Sequence, residues 1–103
     1  MDRIHHVAFQ VNDVARAVDW YSQHFDCLVT YQDTSWAQLT FANLNLALVT
    51  PEQHPSHIGL VRPDARNFGE LALHRDGSAS VYIHDPSGNA IEIIDSASLK
   101  KTQ

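Results

Sequence analysis

The sequence is poor in cysteine, glutamate, basic residues and long apolar runs, and each shortage excludes something. A single cysteine, Cys27, in 103 residues rules out an intrachain disulfide and a cysteine-based zinc cluster. Cys27 follows a helical pattern and reads as a small buried hydrophobe. No stretch nears the roughly 20 apolar residues of a membrane-spanning helix. The start of the chain leads into a strand pattern without the apolar run of a signal peptide, so a cytoplasmic protein with no membrane partner is expected. Seven Lys and Arg against twelve Asp and Glu leave a net charge of −5. Two of those seven, Lys100 and Lys101, sit in a polar tail. The chain therefore lacks the basic stripe that a nucleic acid partner requires. The same field gives little steering to a highly anionic substrate. What remains is ordinary globular material, 44% hydrophobic and 18% charged, in one domain spanning residues 1–103.

Histidine is the residue in excess, with seven against only three Glu. Their placement follows from the pattern of elements. Residues 4–11 alternate as a strand, with Val7, Phe9 and Val11 on the core face and His6, Ala8 and Gln10 on the other. Asn12 or Asp13 can cap the helix of residues 13–25, whose apolar stripe is Val14, Ala17, Val18, Tyr21 and Phe25. Strands at about 28–33, 35–42 and 44–50 follow, the last two with one strongly apolar and one mixed face. After a proline loop the pattern restarts: HIGLV at 57–61 repeats HVAFQ at 6–10, 51 residues on. A loose helix at about 64–72, weakened by Gly69, leads through a turn at 74–78 to strands at 79–84 and 89–95. The order is a βαβββ module at about 1–50, then a shortened second copy at about 57–96.

Glu92 is the first chemical anomaly, the only Glu set in an apolar strand. A carboxylate on a buried face is costly without a partner, although alternation equally allows that face to be solvated. The preceding Asp85-Pro86-Ser87-Gly88 suits a type I turn closed by a glycine bulge. With that three-residue loop Asp85 falls opposite Asn89, His84 opposite Ala90 and Tyr82 opposite Glu92 on one face; a two-residue loop would instead put Val81 opposite Glu92, and Gly88 favours the first register. His6 is the second anomaly, on the face away from the core, and His57 holds the matching place in the repeat. Two imidazoles and one carboxylate bind a divalent metal and leave positions open for a substrate to chelate. His5 competes with His6 and reads as a supporting or structural residue. His24 closes the first helix against its dipole. His54 and His74 read as solvated; His84 could line the rim of a pocket, though a surface strand end is the better reading.

These residues carry a resemblance. HHVAFQVNDVARAVDWYSQHF at 5–25, HIGLV at 57–61 and VYIHDPSGNAIEII at 81–94 resemble the vicinal oxygen chelate superfamily, also called the glyoxalase/bleomycin-resistance/dioxygenase superfamily. The last segment is the most specific, a family hallmark of Asp-Pro-x-Gly-Asn before a strand Glu. The resemblance implies an α+β fold, two βαβββ modules forming curled mixed sheets around a metal-binding cleft. It matches His6 and His57 to the first-strand ligands of the two modules and Glu92 to the last-strand ligand. The glyoxalase I branch adds a Glu in the last strand of module one; here Ala47 stands at that place, and no acid is available. The chain is thus more similar to the three-ligand members, extradiol dioxygenases with Fe(II) and fosfomycin-modifying transferases with Mn(II). Tyr82 falls where those transferases carry an active-site Tyr.

The resemblance implies a metalloenzyme in which an ion of Fe, Mn, Ni, Co or Zn holds oxygen atoms of a small-molecule substrate. His6, His57 and Glu92 are the expected ligands and Tyr82 an acid or hydrogen-bond donor. Gln10, Trp36, Gln38, Thr40, Ala47 and His84 are expected to line the cleft. With no second carboxylate as base, proton abstraction would fall to a metal-bound hydroxide, Tyr82 or His84. Few cations lie near these strands, which weighs against phosphonate, glutathione or coenzyme A substrates; Arg62 and Arg75 are the available anion contacts of the second half. The rival readings are a metal-free sequestering protein of the bleomycin-resistance type and a structural relic of a ligand set. A homodimer is expected, because curled half-sheets leave edges and apolar faces to cover.

Overall fold

The computed structural model describes residues 1–99; the tail lysines Lys100 and Lys101 lie outside the described residues. The fold is α+β, with strands of mixed direction in an open sheet. In chain order the elements are β1 (Arg3–Gln10), α1 (Val14–His24), β2 (Leu28–Gln32), β3 (Trp36–Thr40), β4 (Asn45–Val49) and β5 (His57–Arg62). A 3-10 helix (Ala65–Phe68), β6 (Ala72–Leu73), β7 (Ala79–His84), β8 (Ala90–Asp95) and α2 (Ser96–Leu99) follow. No helix among the described residues is long and apolar enough to cross a membrane. The chain divides into two compact units, one of His6–His57 and one of Met1–His5 with the chain from Ile58 onward.

In the His6–His57 unit the strands lie in the order β2-β3-β4-β1, with β1 parallel to β4 and the other pairs antiparallel. A parallel β1–β4 pair needs a long crossover, and the segment through α1, β2 and β3 supplies it. Asp13 settles the cap: its side chain accepts from the backbone N–H of Arg16 at 3.1 Å. Val14 and Val18 of α1 pack on Ala37, Leu39, Leu46 and Leu48, all buried, with Val7, Val11, Ala17, Tyr21, Cys27 and Phe41 around them. This is the core face read from the alternation, with two exceptions. Phe25 is the C-cap in extended backbone, so its side chain leaves the helical stripe and is half exposed. Phe9 is also half exposed. The opposite face carries a smaller apolar cluster of Ala8, Ala47 and Val49, with Trp36 packed on it.

In the second unit the strand order is β5-β8-β7-β6. The expected helix at 64–72 contracts to the single 3-10 turn Ala65–Phe68, held by the fully buried Ala65. Gly69 ends it at φ +151°, where a Cβ would lie 2.9 Å from Cγ2 of Val81. That backbone conformation is outside the helical range and favours glycine, so the helix ends there, and a side chain would press on that of Val81. The chain gains β6 instead, two residues paired with Ser80 and Ala79, too short to leave an alternation in the sequence.

The β7–β8 hairpin turns as its residues require. The N–H of Gly88 donates to the Asp85 carbonyl at 2.9 Å and that of Asp85 to the Asn89 carbonyl at 3.0 Å. Gly88 takes φ +86°, the left-handed conformation of a bulge glycine. The Asp85 carboxylate accepts from the backbone of Ser87 and Asn89 and from the Asn89 amide, at 2.8–2.9 Å. The register is as anticipated: Tyr82 opposite Glu92 and His84 opposite Ala90.

Two predictions follow from this turn and close approach. Gly69→Ala should lower the urea midpoint by about 1–2 kcal/mol of stability without changing m. The carboxyl of Asp85 is held below its ordinary range, first by the Asn89 side chain and then by the backbone N–H groups. Its contribution is therefore present above the unfolded value of 3.8 and lost as pH falls below it. Asp85→Ala should be less stable than wild type at pH 7, and thermal melts should show that gap narrowing as the pH falls below 3.8.

Candidate metal centre

His6 lies on β1 and His57 opens β5, both within the first unit. The two rings meet edge-to-face, with Nε2 of one 3.0 Å from Nε2 of the other. On its far side the His57 ring has Nδ1 2.6 Å from the carbonyl oxygen of Pro55. A carbonyl only accepts, so Nδ1 carries the hydrogen and Nε2 of neutral His57 presents its lone pair. His6 then donates from Nε2 to that lone pair. A carbonyl that fixes tautomer and ring orientation in this way is the usual support of a metal-ligating histidine.

The loop from 51 to 56 is tied to the end of β1. The Gln10 backbone N–H donates to Ser56 Oγ at 3.0 Å, and the Gln10 side-chain amide donates to the His54 carbonyl at 2.9 Å. Gln10 thus fastens a loop. His54 corrects the sequence reading: it is half-buried, with its ring centroid 6.0 Å from that of His57, because the loop folds back over β1. Register places Ala8 beside Ala47 and Ala47 beside Gln38. Trp36 stacks on Tyr31 with centroids 4.4 Å apart. Gln38 donates to the Thr30 hydroxyl and Thr40 to the Asn45 side-chain oxygen. The face that bears His6 therefore joins a small apolar patch to neutral polar side chains. His5 is half-buried at the chain entrance. His24 meets the helix end as expected, with Nδ1 2.7 Å from the Trp20 carbonyl.

Glu92 belongs to the second unit. It is buried, at 6% exposure, which overturns the solvated alternative for its face. Ser80 Oγ donates to its Oε2 at 2.7 Å, and His74 Nε2 lies 3.4 Å from the same oxygen. His74 Nε2 also stands 2.6 Å from Ser80 Oγ. His74 was expected to be solvated; the β6–β7 turn, closed by the His74 backbone N–H donating to the Ser78 carbonyl at 2.8 Å, instead brings its ring to Ser80. Hydrogen bonding to Glu92 raises the His74 pKa against the opposing effect of burial. Ser80 is the residue that the sequence reading missed although a signal existed. It shares strand parity with Tyr82 and is diagonal to Glu92 in the hairpin register. Nothing in the sequence placed His74, because the turn that positions it has no periodicity.

Tyr82 stands directly across the hairpin from Glu92. Burial, and then the Glu92 charge, push its phenol well above the ordinary value. His84 is exposed at the end of its strand. Arg62 is not available for an anionic ligand as expected. Its guanidinium pairs with Asp64 and Asp2, each at 2.7 Å, and lies over the Phe68 ring. Arg75 is exposed in the turn. The structure thus brings together His6 with His57, and Tyr82 with Glu92, Ser80 and His74.

The comparisons agree with this architecture. Similar solved structures include a glyoxalase/bleomycin resistance protein/dioxygenase superfamily member from Vibrio splendidus 12B01, 10% identical, TM-score 0.64, covering 91% of this chain and 98% of that one. The methylmalonyl-CoA epimerase of Streptomyces coelicolor, in complex with 2-nitronate-propionyl-CoA, is 20% identical with a TM-score of 0.69. That match covers 89% of this chain and 95% of the epimerase. The methylmalonyl-CoA epimerase of Mycobacterium tuberculosis is 16% identical with a TM-score of 0.67, over 88% of this chain and 85% of that one. At these identities the likeness is one of fold. No curated protein matches the chain. The family model of the Glyoxalase/Bleomycin resistance protein/Dioxygenase superfamily matches residues 3–71, about two thirds of the sequence. The chain belongs to the Glyoxalase/Bleomycin resistance protein/Dioxygenase superfamily.

Proposed function

We propose that this protein is a divalent-metal-dependent enzyme acting on a small oxygen-bearing substrate, with His6, His57 and Glu92 as the metal ligands. The observation that carries the reading is the histidine pair. Two imidazole nitrogens converge to 3.0 Å, the spacing of neighbouring ligands each at about 2.1 Å from one ion. The Pro55 carbonyl holds the His57 lone pair toward its partner. Glu92 supplies the oxygen donor, a carboxylate kept buried in a strand. Two nitrogens and one carboxylate oxygen suit Fe, Mn, Ni, Co or Zn. Such an ion supplies Lewis acidity, polarising the substrate oxygens that chelate it.

The remaining roles fall to the protein. Tyr82, with its pKa raised by burial and by Glu92, keeps its proton at neutral pH. It serves as a hydrogen-bond donor or acid through Oη and is a poor base. Ala47 takes the place where a fourth, acidic ligand would stand, and Ala8 beside it leaves an apolar floor walled by Trp36. Gln38 and Thr40 add amide and hydroxyl groups to the same side for orienting substrate, with Gln10 at its margin, and His84 is the further substrate contact of the reading. With Arg62 committed to Asp2 and Asp64, a substrate of low negative charge fits best. The whole chain acts as one domain, with modules at about 1–50 and 57–96. A cytoplasmic homodimer completes the reading, since Trp20, Phe25, Leu28 and Val29 are all 45% or more exposed on α1, its C-cap and edge strand β2.

Untagged protein purified without chelator should carry near-stoichiometric Fe, Mn, Ni, Co or Zn by elemental analysis, and a His6→Ala/Glu92→Ala double variant should carry none. Absence of metal in wild type, with no uptake on reconstitution, would sink the enzyme reading and leave a metal-free sequestering module.

A further inference from the structure

We infer that Ser80 and His74 are positioning residues for the Glu92 carboxylate, fixing the plane in which it meets the metal. This rests on the proposed role of Glu92 as a ligand. The last torsion of a glutamate side chain has broad, shallow preferences, so the plane of the carboxylate is not set by the side chain itself. Something outside must set it if the ligand is to be preorganised.

The second unit provides that constraint from two elements. Ser80 Oγ donates its one hydrogen to Oε2 of Glu92 at 2.7 Å. Having spent that hydrogen, the hydroxyl accepts from His74, whose Nε2 lies 2.6 Å away. His74 Nε2 also lies 3.4 Å from Oε2. Both groups act on the same oxygen, and neither of these contacts engages Oε1. Ser80 is 2% exposed and Glu92 6%, so water does not compete for these bonds. The polarity runs one way, from imidazole N–H to hydroxyl to carboxylate. It fixes the tautomer of His74 as the proline carbonyl fixes that of His57.

A network that only satisfied a buried carboxylate would stabilise the fold and leave metal affinity alone. The test therefore measures both, on the untagged full chain with Co(II) as the probe. Affinity is read by competition with a chelating fluorophore, and the thermal midpoint is read without metal. Ser80→Ala and His74→Ala should each weaken Co(II) binding by about 10- to 100-fold. The visible Co(II) spectrum should change in both. His74→Gln, which can keep a nitrogen donor near Nε2, should recover most of the affinity. Ser98→Ala removes a hydroxyl that accepts from Ala79 N and donates to the Asp95 carbonyl in the same unit. It should lower the midpoint without altering affinity. Should Ser80→Ala fail to fold, the partly exposed His74 decides through His74→Ala. Co(II) affinities within twofold of wild type, beside a lowered midpoint, would overturn the positioning role and leave the ligand assignment standing. Failure of wild type to bind Co(II) at all would overturn both.

Discussion

A carboxylate buried in a β-strand is paid for in desolvation, several kcal/mol or more unless hydrogen bonds or a cation compensate, and Glu92 is such a group. The local structure around it follows from that constraint. Strand register decides which face Glu92 occupies, since a slip of one residue would turn it to the other side. The Asp85-Pro86-Ser87-Gly88 turn fixes the register, through the Asp85 carboxylate and the left-handed Gly88. On the chosen face Ser80 and His74 meet the carboxylate, and Tyr82 lies across from it with its proton firmly held. Arg62 is diverted to Asp2 and Asp64.

The histidine pair is arranged by a different means. His6 sits in mid-strand, with its neighbours Ala8 and Ala47 small. His57 opens β5 just after a loop that returns a carbonyl, Pro55, to its own ring. Gln10 and Ser56 anchor that loop to β1. One imidazole is therefore held by sheet register and the other by a short local hydrogen bond.

The sequence was legible where periodicity or turn chemistry is strong. Alternation gave both faces of β1, β3 and β4, and the helical stripe gave Val14 and Val18. Gly88 in the turn favoured the Tyr82–Glu92 register over the one-residue shift, and that register is the one formed. What escaped depended on close approach and on loop geometry. Gly69 ends the second helix after one turn by taking φ +151°, and its packing against Val81 is a contact that no window of sequence contains. His54 and His74 read as solvated because they fall outside regular elements, yet a folded-back loop and a tight turn carry each inward. Arg62 looked available because its partners are Asp2, 60 positions away, and Asp64, two residues on.

The central claim is that two imidazoles and one carboxylate of this chain hold one ion. X-ray absorption of the Co(II)-loaded protein reads the ligands directly. The account predicts a first shell containing two imidazole rings, seen by their multiple scattering, with oxygen donors filling the rest, and the loss of one oxygen donor's contribution in Glu92→Ala. A shell of oxygen donors alone, unchanged by His6→Ala, would contradict it.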